Sequence, residues 1–244
     1  MTTVLKLSNV TKYYGSRQVL NVEELEIGAG QIYSILGPNG AGKTTMMRIM
    51  ALLTRNNIGQ IEVLGEKVTW DKSQLLRLRR QMSMVTQTSY MFAGPVHYNV
   101  SYGLRVRNKS VVEVNKLVKE SLELVGMSDF IDYPARNLSG GEKQKVAIAR
   151  VLALKPRVLF LDEPTSSIDP TSARDIERYI KFINSELGTT VILVTHNLFQ
   201  ARRLADHTIF MWDGEIIETG SSEDLFENAI DKRTRAFLSG EVVF

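Results

Sequence analysis

An α/β fold, with a mixed sheet core, an N-terminal antiparallel β subdomain and an inserted helical subdomain, is predicted by three features of the 244-residue sequence. The glycine-rich segment Gly37-Pro38-Asn39-Gly40-Ala41-Gly42-Lys43-Thr44 lies between an apolar stretch, Ile32 to Leu36, and a stretch of helical composition, Thr45 to Met50. That is the strand–loop–helix order of a phosphate loop. Two continuously apolar runs, Val158 to Leu161 and Val191 to Val194, read as parallel strands buried on both faces, because nothing in them alternates. From about Asp71 to Leu152 there is no convincing run of buried strands, and amphipathic helical patterns recur instead.

Taken in order, Leu5 to Ile27 carries short alternating patterns, including Val22, Leu25 and Ile27, broken by the turn-like Tyr14-Gly15-Ser16. This suits an antiparallel layer, to which Ile61 to Val63 adds a strand. In the middle, Val111, Val114, Val118, Leu122 and Val125 fall at helical spacing and Gly126 stops the helix. After Val158 to Leu161, Asp169-Pro170 supplies an N-cap and a first-turn proline. Ile176, Ile180, Ile183 and Leu187 form the apolar stripe, and Gly188 ends the helix. With Val191 to Val194 this makes a right-handed βαβ unit. Ile209 to Trp212 and Glu215 to Ile217 flank Asp213-Gly214, a two-residue hairpin signal. The expected organisation is one domain over residues 1–244, with residues 1–87 and 153–244 forming the core and about 88–152 the helical subdomain.

Composition narrows the class. With 43% hydrophobic residues the chain can bury a substantial core. It has no cysteine, which excludes disulfides and thiolate metal sites, and no apolar leader at its start, so it is expected to remain in the cytoplasm. The apolar runs are strand-sized, far short of the roughly 20 residues that span a bilayer. A net charge of +3, with basic and acidic residues interspersed, argues against a dedicated nucleic-acid surface. The densest basic cluster, Arg77, Arg79 and Arg80, reads as a solvated helix face.

The glycine-rich segment fixes the ligand class. Glycines let backbone N–H groups converge on phosphate oxygens, and the following helix start adds the positive end of its dipole. Lys43 then reaches the terminal phosphates and the Thr44 hydroxyl holds Mg²⁺. At the end of Val158 to Leu161, Asp162 enters the magnesium shell and Glu163 reaches the water that attacks the γ-phosphate. In Leu138-Ser139-Gly140-Gly141-Glu142, two glycines at a helix start expose N–H groups to an anion. The same residues have the S-x-x-E spacing of a capping box, so Ser139 can also cap its own helix. Both readings can hold in turn.

Leu138 to Glu142, followed by Lys143-Gln144-Lys145-Val146-Ala147-Ile148-Ala149-Arg150, resembles the signature of the ATP-binding cassette (ABC) family. The resemblance extends over nearly the whole chain. It implies an ABC ATPase fold, and it implies that ATP is held by Gly37 to Thr44, Thr45, Ser139, Gly140 and Gly141, with Tyr14 stacking on adenine. Gln87 resembles the glutamine that links magnesium and the attacking water to the helical subdomain. Ser166-Ser167-Ile168-Asp169 resembles the loop that crosses a dimer interface. His196 resembles the histidine that contacts the γ-phosphate and positions the water. His97 and His207 match nothing and read as structural. Glu142 stands where glutamine is commoner, Lys145 where arginine is, Asn197 where aspartate often follows the histidine, and Ser167-Ile168 where Ala-Leu is usual. None of these changes removes a group that hydrolysis depends on, so ATPase activity is expected to survive.

The family arrangement implies two copies head to tail, with each ATP between the loop of one and Ser139 to Gly141 of the other. It also implies a separate transmembrane permease, an extracytoplasmic solute-binding protein acting through it, no nucleic-acid partner, and a peripheral place on the cytoplasmic face of the membrane. The aromatic and Met-rich Thr88 to Val96 suits a groove for a partner helix, or fills the subdomain's own core. Val96 to Leu104 resembles importers of small oxyanions such as tungstate or molybdate, with phosphate or an amino acid as alternatives. The short tail after Asn228 leaves no room for the regulatory domain that molybdate-type cassettes often add. A soluble ABC ATPase acting on DNA or the ribosome would carry a long coiled coil or a second cassette, and neither is visible; a regulatory ATPase without transport is the remaining alternative.

Overall fold

A computed structural model of the chain describes residues 2–241. The chain forms two compact units, one from Met1–Met84, Arg157–Glu163 and Gly188–Phe244, the other from Val85–Pro156 and Pro164–Leu187.

The first unit is built on a sheet whose strands are β1 (Thr3–Tyr14), β2 (Arg17–Gly28), β3 (Ile32–Leu36), β4 (Ile58–Val63), β5 (Glu66–Lys67), β6 (Met82–Val85), β7 (Val158–Asp162), β8 (Thr190–Val194), β9 (His207–Trp212) and β10 (Glu215–Ser221). Their order is β5-β4-β1-β2-β10-β9-β3-β8-β7-β6. β1 and β2 form the antiparallel layer, with Leu5, Leu7 and Val10 opposite Ile27, Leu25 and Val22, all of them buried. β4 adds on the other side of β1. That layer meets the rest of the sheet through one parallel pair, Asn21 with Glu215. β3 lies between β8 and β9, parallel to both and buried at all five residues, with the polar side chain of Ser34 hydrogen-bonded to Thr208 of β9 at 2.7 Å. β7 pairs parallel with β8. In the β9–β10 hairpin, Asp213 (φ 46°) and Gly214 (φ 83°) both take the left-handed backbone that the tight two-residue turn demands.

One expectation fails. The stretch from Asp71 to Leu152 does contain a strand, β6, following helix α2 (Lys72–Arg79). Its four residues, Met-Ser-Met-Val, are too few and too mixed to give a period, and its place comes from the neighbouring β7. The arginine cluster is bound up locally rather than solvated throughout: Arg77 pairs with Glu66, and Arg79 Nε donates to the Leu52 carbonyl at 3.1 Å. Helix α1 (Lys43–Met50) follows β3, and Met46, Met47, Ile49 and Met50 are fully buried.

The helical unit contains α3 (Val96–Val106), α4 (Val111–Leu124), α5 (Gly140–Leu154) and α6 (Pro170–Leu187). α5 packs against α3, α4 and α6, which is why its buried residues, Val146 to Ala149 and Val151 to Ala153, wrap most of its circumference. α4 is capped by Ser110, and its buried stripe starts at Val114, since Val111 is exposed. The unit also takes in Pro164–Leu187, a segment that the sequence pattern groups with the core. Among the described residues, no helix is long and apolar enough to cross a membrane.

Candidate nucleotide site

The glycine-rich loop leaves β3 at Gly37 (φ 144°), where a Cβ would stand 2.1 Å from the Met211 carbonyl oxygen of β9. Only glycine fits there. The loop ends at Gly42 (φ 92°), the N-cap of α1, which has no side-chain cap and no acidic residue in its first turn. The helix start therefore keeps its N–H groups and partial positive charge facing the loop. Lys43 bends back over the loop, its Nζ donating to the carbonyls of Gly37 at 2.6 Å and Pro38 at 2.8 Å. Burial pushes the Lys43 ammonium below the usual lysine range, opposed by the nearby charges of Glu163 and Asp162.

Two carboxylates stand at the carboxyl end of β7. Burial, and then the Glu163 charge, raise the Asp162 carboxyl above its ordinary range, while Lys43, a hydrogen bond with the Thr44 hydroxyl and Arg48 act against the rise. A half-buried carboxylate beside a hydroxyl is a hard-oxygen donor pair suited to Mg²⁺, which keeps waters and substrate phosphates in its shell. Among the described residues, no group of three or more His, Cys, Asp or Glu side chains is placed to hold a metal ion. Glu163 has a left-handed backbone (φ 51°), with its N–H bonded to the Val194 carbonyl at 2.9 Å. A positive φ is uncommon for a non-glycine residue, and here it fixes the direction in which the side chain leaves the strand end. Here it meets His196, which follows β8, with Nδ1 2.6 Å from Glu163 Oε2. The His196 side chain is 68% exposed and that of Glu163 18%. A water-accessible ring thus carries a more enclosed acid.

The predicted site residues of this unit come together: the loop from Gly37 to Thr45 with Asp162, and Glu163 with His196. Tyr14, 54% exposed, lies at the end of β1 with Lys12 Nζ 5.2 Å from its ring centroid. What the sequence does not reveal is the support behind the loop. The Gly214 N–H bonds to the Ala41 carbonyl at 3.2 Å, and the Met211 carbonyl crowds Gly37. Asp213-Gly214 is legible as a turn, but nothing local tells where that turn abuts.

In the helical unit, Ser139 is the N-cap of α5 in a complete capping box with Glu142. Gly140 and Gly141 open that helix, and a Cβ on Gly141 would come within 2.6 Å of Ser172 Oγ. Asp169 caps α6, its Oδ1 accepting from the N–H groups of Thr171 at 3.0 Å and Ser172 at 2.9 Å; with the Ser172 hydroxyl as the main cause, these bonds hold its carboxyl below the usual range. Gln87 is exposed just after β6. His97 bonds to Asn115 Oδ1 at 3.0 Å, and in the first unit His207 stacks on Tyr33 with ring centroids 5.0 Å apart.

The family described as ABC transporter matches residues 20–166, a span that includes the loop, Ser139 to Gly141 and both β7 carboxylates. A probable anion import ATP-binding protein of Haloferax volcanii is 39% identical over 246 residues, covering 95% of this chain and 85% of its own length. The methionine import ATP-binding protein MetN of Escherichia coli K12 is 41% identical over 241 residues, covering 96% of this chain and 70% of its own. Among solved structures, cbiO1 of Clostridium perfringens, part of the ABC transporter complex cbiONQ, superposes with a TM-score of 0.86 at 27% identity, covering 99% of this chain and 100% of that one. An ATP-binding cassette solved as a dimer in a post-hydrolysis state, bound to ADP and Pi, gives a TM-score of 0.81 at 32% identity, covering 89% and 98%. The chain therefore belongs to the ABC transporter family and is an ATP-binding ATPase of that family.

Proposed function

We propose that this chain powers solute import through a separate transmembrane permease, from the cytoplasmic face of the membrane, by closing and reopening a pair of its own copies around ATP. The observation that carries the hydrolytic part is the convergence, in one unit, of an uncapped α1 start, Lys43, the Thr44–Asp162 pair and the hydrogen-bonded Glu163 and His196. In this reading the loop N–H groups from Gly40 to Thr45 cradle the phosphates, and Pro38, Asn39 and Ala41 shape the cradle. Lys43 leaves the Gly37 and Pro38 carbonyls for the γ-phosphate. Glu163 orients the attacking water and takes its proton, and His196, tethered through Nδ1, presents its other nitrogen to the γ-phosphate. Tyr14 stacks on the base. Mg²⁺ would be held by Thr44 and Asp162 and would offset phosphate charge, and Gln87 takes the role that its resemblance to the family's magnesium- and water-linking glutamine implies.

The Ser139 to Gly141 segment of the second copy completes the γ-phosphate shell, with Asp169 close to the shared interface. The relative solved as a dimer with ADP and Pi supports that pairing. Replacing Glu163 by Gln is expected to leave ATP binding intact and cut hydrolysis about a hundredfold or more. Hydrolysis at the parent rate, measured as phosphate release, would remove Glu163 from this role.

For the solute we propose a small oxyanion of the tungstate or molybdate kind, with a solute-binding protein delivering it to the permease. The Haloferax relative, whose name specifies anion import, supports it. The second reading is an amino acid, because MetN, named for methionine, is equally similar.

A further inference from the structure

Resting on the reading that Ser139 meets the γ-phosphate of a second copy, the geometry at the start of α5 goes one step further. Glu142 Oε2 accepts two bonds from Ser139, one from its backbone N–H at 2.8 Å and one from its hydroxyl at 2.7 Å. The Ser139 hydroxyl oxygen in turn accepts from the Glu142 N–H at 3.3 Å. A hydroxyl has a single proton to give, and here it is given to a carboxylate. A γ-phosphate oxygen is also an acceptor and needs that same proton. It also brings negative charge to a helix end where a negative charge already sits.

Among the described residues, no cation forms an ion pair with that carboxylate. Lys145, the cation one turn along α5, has its Nζ 2.7 Å from Asp175 Oδ2, and Arg178 joins the same acid at 3.2 Å. The Ser139 bonds are the main cause of the Glu142 carboxyl lying below its usual range, with Lys145 the least of its causes. The residue is therefore ionised while it holds Ser139. We propose that Glu142 is a built-in rival of the γ-phosphate, a carboxylate that occupies Ser139 in the separated copies and raises the ATP concentration at which they close. Where glutamine is commoner in this family, the same capping geometry carries no charge.

The test uses the full chain with Glu163→Gln, so that ATP persists, and reads dimer formation by sedimentation velocity against Mg-ATP concentration. Gln at position 142 keeps the capping-box spacing but supplies only a neutral acceptor, roughly half as strong as an ionised one. Adding E142Q is expected to lower the ATP concentration for half-maximal dimer about fivefold, on the scale of exchanging a charge-assisted bond for a neutral one. In the chain with Glu163 intact, the KM for ATP should fall in parallel. A purely structural role predicts the opposite direction, since a weaker cap would loosen α5 and impair closure. An unchanged or higher midpoint for E142Q, with its melting temperature within a few degrees of the parent, overturns the rivalry. If Glu163→Gln alone forms no dimer at any ATP concentration, the two-copy reading itself fails and the rivalry with it.

Discussion

Asp162 illustrates how a residue is set for a ligand at the expense of the free fold. Its carboxyl is raised above the ordinary range, mainly by burial, so the folded chain binds that proton more tightly than the unfolded chain does. The stability it contributes is present below the ordinary carboxylate pKa and is lost as pH rises through the raised value. Asp162→Asn should therefore melt about 2 °C above the parent at pH 7 without nucleotide, with the gap closing toward pH 4, while losing the stabilisation that Mg-ATP gives the parent. Thermal unfolding followed by circular dichroism across that pH range is the check, and an asparagine variant less stable than the parent at pH 7 would contradict it. At this scale the sequence is informative wherever function lies in a contiguous motif. Gly37 to Thr44 names its ligand class because its three glycines all take positive φ (144°, 81° and 92°), a backbone that side chains disfavour. The bond between His196 and Glu163 is invisible in the sequence, because it depends on the left-handed backbone at Glu163 and on the pairing of β7 with β8, neither of which has a local signature.

Helix α5 is the element in which two tasks can be separated. Its capping box should contribute ordinary helix stability, while the same hydroxyl is assigned to the nucleotide. Ser139→Ala is expected to cost about 1 kcal/mol of stability, the typical value for losing an N-cap. ATP hydrolysis at saturating nucleotide should fall much further, on the order of a hundredfold, as for one oxyanion donor. Chemical denaturation and phosphate release measure the two effects; losses of similar size would mean that Ser139 is only a cap. Elements with a long apolar period, such as α4 and α6, or with unbroken apolar runs, such as those in β7 and β8, are legible in their own residues. β6 is not, because a four-residue strand owes its existence to its neighbour in the sheet and not to its own pattern.

At the scale of the whole molecule, the sheet combines a nucleotide-bearing parallel half with an antiparallel layer, and a single strand pair, Asn21 with Glu215, connects them. That mixed architecture is legible from the contrast between alternating and continuous apolar segments. The solute is not, because none of the residues that read nucleotide touch it. In proteoliposomes holding this chain with its permease, binding protein loaded with tungstate or molybdate should stimulate ATP hydrolysis several-fold, as a ligand does when it favours one of two states. Stimulation by methionine-loaded protein alone would move the solute reading to the amino acid.

The resting bonds of Lys43 to Gly37 and Pro38 also bear on the speed of the cycle. With both bonds in place the side chain ties the loop back on itself, which should help the cradle keep its curvature. Exchanging spent nucleotide for fresh then calls for one side chain to swing aside, a movement of roughly nanoseconds, and not for the cradle to be rebuilt. The pace of the motor would be governed by the meeting and parting of its halves.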